Sequence, residues 1–71
     1  MKREEVECLQ VGDILQYMLE EREDLDIVVR VKGETITVKT LNSTTDCIGD
    51  VTPIKTDNKE VWECYTLITG A

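Results

Sequence analysis

Two alternating segments around one glycine constrain this chain more than any other feature. Asp26 to Lys32 sets Ile27, Val29 and Val31 on one side and Val28, Arg30 and Lys32 on the other. Thr35 to Leu41 alternates in the same way, with Ile36 and Val38 inward and Thr35, Thr37 and Lys39 outward. A period of two marks a half-buried strand, because successive side chains leave a pleated backbone on opposite faces. Lys32-Gly33-Glu34 between the segments supplies the glycine that a tight hairpin turn wants. An antiparallel hairpin is therefore expected. With 71 residues there is room for one small core, so residues 1–71 are read as a single domain, with 1–8 a loose arm or a short capping turn.

Further strands are expected on either side. Asn42 to Asp46 reads as a polar loop, and Cys47 to Ile54 as a short strand weakened by Gly49 and stopped near Pro53, which suits a sheet edge or a bulge. Thr56 to Lys59 is a turn on Asp57-Asn58, and Glu60 to Ile68 a strand with apolar residues on both faces. Val11 to Asp26 admits two readings. As a helix, Asp13 is the N-cap and Val11, Ile14, Leu15, Met18 and Leu19 form a stripe. As a strand, Leu15, Tyr17 and Leu19 point in. The strand reading gives a mainly β chain of about five antiparallel strands. The helix reading gives an α+β fold, with one helix at about 13–24 on a four-stranded antiparallel sheet.

Charge narrows the function. Fifteen Asp and Glu stand against eight Lys and Arg, with no His, for a net charge of −7. An autonomous nucleic-acid binder or a peripheral anchor on anionic lipid needs the opposite balance, so neither direct nucleic acid nor membrane is expected as a partner. The longest apolar runs, such as Ile27-Val28-Val29, are three residues, so neither a membrane span nor a signal peptide is expected, and the location is read as cytoplasmic. Cys8, Cys47 and Cys64 make no C-x-x-C and have no His to activate them. They are read as small half-buried residues of a reducing compartment, with a Cys47–Cys64 pair the lesser alternative. No phosphate loop or nucleophile elbow is present, so the chain is read as no enzyme, without cofactor or metal.

The acids are concentrated. Asp13, Glu20, Glu21, Glu23, Asp24 and Asp26 against Arg22 leave −5 in fourteen residues. Such a run is either a solvated face that keeps a small protein soluble or a surface for a cationic partner. Carboxylates on alternate strand residues recur at about 6.5 to 7 Å, comparable with successive phosphates along a nucleic acid. Arg30, Lys32 and Lys39 gather on the outer face of the hairpin, where they are either an ordinary charged strand face or a small nucleic-acid patch, and leave the rest of the surface more acidic. The last strand, apolar on both sides, suggests a homodimer interface at Val61, Trp62, Tyr65 and Leu67.

Val11-Gly12-Asp13-Ile14-Leu15, followed by an acidic loop, an alternating hairpin and two short strands, resembles the layout of SH3-like small barrels. In size, charge and lack of catalytic groups the chain is also similar to the small acidic inhibitor proteins that bacteriophages make during host takeover. That resemblance implies a DNA mimic, which occupies the DNA-binding surface of a basic host protein such as an HU-type nucleoid protein. The phosphate substitutes would be Glu20, Glu21, Glu23, Asp24 and Asp26, with Asp46 and Asp50 as further contacts. The SH3-like layout implies an alternative, a protein or peptide interaction module with an aromatic edge at Trp62 and Tyr65.

Overall fold

Ile14 to Leu19 is a strand, which decides between the two readings. In the computed structural model, which describes residues 1–45 and 47–69, the elements run α1 (Arg3–Glu7), β1 (Ile14–Leu19), β2 (Arg22–Lys32), β3 (Thr35–Ser43), β4 (Val51–Lys55), α2 (Lys59–Trp62) and β5 (Tyr65–Thr69). The five strands form one antiparallel sheet in the order β4-β3-β2-β1-β5. The protein is mainly β. β1 lies between two partners, and a strand with both edges paired satisfies more backbone groups than a short helix. The helical spacing of Ile14 to Leu19 yields to that ladder, and Leu15 becomes a fully buried inward residue.

The hairpin around Gly33 forms as expected, with Lys32 opposite Thr35 and Gly33 at φ 59. Ile36 and Val38 are buried. The faces of β2 differ from simple alternation. Val28 is buried, whereas Val29 and Val31 are about two-fifths exposed, at 39% and 43%. A β-bulge resets the faces: Val28 pairs with Val38 and Arg30 with Thr37, so Val29 is an extra residue, and the alternation that sets Val31 opposite the buried Ile36 is reversed before it, turning Val28 and Asp26 inward. A second irregularity leaves Leu41 unpaired between Thr40 and Asn42. Arg30, Lys32 and Lys39 nonetheless share the outer face, because their positions pair with or lie among Thr35, Thr37 and Ile27 on that side.

Pro53 sits in β4, an edge strand, where its missing N–H costs no ladder bond. One expectation is corrected. Glu60 to Trp62 belongs to a helical turn, because the Asn58 side chain accepts from Val61 N–H and caps α2, so the last strand begins only at Tyr65. Of the two readings for residues 1–8, the structure has the short turn: α1 puts Val6 into the core, where Leu9 follows it. Leu15, Val28, Ile36, Val38, Ile54, Trp62 and Tyr65 complete that core. Trp62 reaches across it, and its indole Nε1–H donates to Lys55 O at 2.8 Å, tying the end of β4 to α2.

Candidate functional site: the acidic end of the sheet

β1 and β2 are joined by Glu20 and Glu21 alone, since Leu19 pairs directly with Arg22. So tight a loop needs a positive φ, and Glu20 takes it at 55°. Glu20, Glu21 and Glu23 are all exposed, so the turn projects three carboxylates. The Glu23 carboxylate accepts from Gln16 Nε2 at 2.6 Å, which steadies it beside the sheet.

Asp24 and Asp26 point the other way. They occupy alternate positions of β2 in step with Val28, and each is 3% exposed. Their expected place on the surface, as exposed phosphate substitutes, is therefore corrected: neither carboxylate faces solvent. Asp24 accepts from Arg22 Nε at 2.8 Å and from Ser43 Oγ at 2.5 Å. Asp26 Oδ2 accepts from the Tyr65 hydroxyl at 2.5 Å, while Asp26 Oδ1, also buried, has no partner among the described residues. Burial, and then the hydrogen bond to Asp26, push the Tyr65 phenol far above its ordinary value. Burial also raises Tyr17, helped by Cys64, and the hydrogen bond to Asp24 holds Arg22 above the usual arginine value.

These groups surround a cavity of about 200 Å³ walled by Tyr17, Arg22, Asp26, Thr40, Thr52 and Tyr65 among others. The Tyr17 and Tyr65 rings lie 5.0 Å apart and tilted by 59°, and the Arg22 guanidinium sits 5.4 Å over the Tyr17 ring. The cavity escaped sequence reading because Tyr65 and Asp26 are 39 residues apart.

The remaining candidates scatter. Asp50 is exposed at the entrance to β4, on the far side of β3 from the Glu20–Glu21 turn, and Asp46 lies outside the described residues. Of the residues expected at a dimer interface, Trp62 and Tyr65 are buried at 1% and 6%, Val61 is half-buried, and only Leu67 is well exposed. The aromatic edge is thus part of the core and no surface; its rings turn inward because α2 carries Trp62 under the sheet. Arg30, Lys32 and Lys55 line a shallow groove at the Gly33 end. Cys8, Cys47 and Cys64 are free thiols. Among the described residues no three His, Cys, Asp or Glu side chains are grouped to hold a metal, and no helix is long and apolar enough to cross a membrane.

No family model matches the chain, and neither the curated proteins nor the solved structures give a match.

Proposed function

We propose that the chain is a non-catalytic acidic binding domain that competes with DNA for the basic surface of another protein. The first partner to test is a bacterial HU-type nucleoid protein, met in the host cytoplasm by a phage-encoded inhibitor. The observation that carries this reading is the backbone at Glu20. A left-handed residue costs about 1 to 2 kcal/mol unless it is glycine, and such strain concentrates where a side chain is wanted for function. Here it holds a carboxylate at the tip of a turn that already bears Glu21 and Glu23. Charge sorting supports the same reading, since Arg30 and Lys32 stand at the opposite end of the 11-residue β2. A basic partner meets the acidic end without meeting them.

The finer architecture belongs to this proposal too. β1 placed between β2 and β5, a helical turn leading into β5, and Trp62 tying that turn to the end of β4 all support an open SH3-like small barrel. A peptide module that contacts its partner through Trp62 itself loses support, because that side chain is 1% exposed.

Competition tests the function. A purified HU-type protein bound to labelled duplex DNA is titrated with this protein at low and high salt. Release of DNA at low salt, fading steeply as salt rises, is expected. Replacing Glu20, Glu21 and Glu23 together by Gln keeps shape and removes charge. At about 0.2 to 1 kcal/mol for each exposed pair, the variant should need about threefold to a hundredfold more protein to release the DNA. A variant that competes as well as the original would reduce the turn to a solvated loop.

A further inference from the structure

We infer that the cavity beside the acidic turn receives one primary ammonium group, the side chain of a lysine on the basic partner. Such a contact rests on the proposed competition with DNA and would anchor the partner at the acidic end. At about 200 Å³ the cavity has room for an ammonium and its last methylenes but not for a folded peptide.

The sign of the ligand follows from the carboxylates. Arg22 answers Asp24, with Nε and Nη2 both 2.8 Å from Oδ2. Asp26 makes no ion pair among the described residues; its Oδ2 takes only the Tyr65 hydroxyl, and its Oδ1 is buried with no donor. A buried carboxylate oxygen left without a hydrogen bond is costly, so a donor that carries positive charge gains most by entering here.

The shape of the ligand follows from the count of acceptors. One free oxygen suits a point donor such as ammonium, whereas a guanidinium wants two parallel acceptors. Asp24, the carboxylate that binds a guanidinium, is already taken by Arg22. A hard divalent cation wants six or more oxygens and no such group is assembled among the described residues. The walls agree, since the Tyr17 and Tyr65 rings offer π-faces that attract a cation, as the Tyr17 ring already does for Arg22. Arg22, with its side chain 43% exposed, is the rim group that must swing aside for entry.

The test is an NMR titration of the labelled protein with Nα-acetyl-lysine amide, with the norleucine and arginine analogues as controls. Saturable shifts at the amides of Asp26, Thr40, Thr52 and Tyr65 are expected from the lysine probe at millimolar concentration. None is expected from norleucine, and binding at least fivefold weaker from arginine. Asp26→Asn keeps an acceptor for Tyr65 and turns the free oxygen into a donor, so it should lose at least tenfold in affinity. Should that variant unfold, Tyr65→Phe leaves both Asp26 oxygens open and should bind the probe at least as tightly as the original. Absent shifts, equal shifts from norleucine, or equal binding of arginine each overturn the inference. Glu20→Gln, Glu21→Gln and Glu23→Gln together should leave the lysine shifts unchanged. A silent probe beside a turn variant that still loses competition would reject the cavity and keep the DNA-competition reading; a bound probe beside a fully competent turn variant would do the reverse.

Discussion

Glu20 holds in the β1–β2 hairpin the place that Gly33 holds in the β2–β3 hairpin. Each is the first residue of a two-residue loop, with φ of 55° and 59° respectively. Nothing lies within 4 Å of where a Cβ on Gly33 would be, so glycine is needed there for its backbone alone. The same conformation at Glu20 carries a Cβ and the strain that comes with it. Glu20→Gly should therefore stabilise the fold by about 1 kcal/mol, raising the melting temperature by roughly 4 to 8 °C. Competition with DNA should weaken in the same variant. Urea denaturation and the competition assay, run side by side, check the opposed effects.

The Tyr65–Asp26 contact makes stability depend on alkaline pH. The folded phenol is held well above its ordinary value, chiefly by burial and then by Asp26. Below about pH 10 the phenol is protonated in both folded and unfolded chains, so its contribution is fully present. Above that, only the unfolded phenol ionises. Stability should fall by up to about 1.4 kcal/mol per pH unit until the folded phenol also titrates. Tyr65→Phe should lose about 1 to 3 kcal/mol at neutral pH, because Asp26 Oδ2 then has no donor, and should show a shallower alkaline decline than the original. Denaturation midpoints between pH 7 and 11 distinguish the two proteins.

How much of this was legible depended on range. Gly33 and the alternation of Thr35 to Leu41 are local signals, and they point correctly to the hairpin and to the inward faces of Ile36 and Val38. Pro53 points to an edge for a local reason as well. The faces of β2 were not legible, because one extra residue at Val29 inverts parity and nothing in a run of valines marks it. With Val28 inward, Asp26 and Asp24 fall two and four residues back on the same face, inside rather than on the surface. Asn58 was a capping signal for α2, but the β-rich composition after it masked the turn. The cavity needs residues from all five strands, Thr40 of β3 and Thr52 of β4 among them, brought together, and no sequence pattern encodes that assembly.

Trp62 should be the side chain whose change costs most. It fills the core at 1% exposure, packs on Tyr65 with ring centroids 5.2 Å apart, and bonds Lys55 O through its indole N–H. Trp62→Phe loses the hydrogen bond and leaves a gap, for an expected cost of about 2 to 4 kcal/mol. Out of a total of about 5 to 15 kcal/mol for a typical domain, that is a large share. The urea midpoint should drop while the slope of the transition stays the same. A changed slope would mean that the link between α2 and the end of β4 opens in the folded variant.

The two edges of the sheet are unequal, and the difference predicts self-association. The β4 edge carries Pro53, which cannot donate, and the exposed charge of Lys55, both devices that discourage pairing. The β5 edge, Tyr65 to Thr69, has neither a proline nor a charge, and exposes Leu67 at 42% and Ile68 at 52%. Antiparallel pairing of β5 with β5 of a second copy satisfies a two-fold axis and covers both leucines. The dimer contact expected at Val61, Trp62, Tyr65 and Leu67 would then move outward along the strand, to Leu67 and Ile68. Sedimentation at micromolar concentration should give twice the mass of one chain. Leu67→Lys, which introduces the kind of charge that guards the other edge, should return the single-chain mass without disturbing the lysine-probe shifts at Asp26. A single-chain mass for the original protein would leave β5 as an open edge with no partner of its own kind.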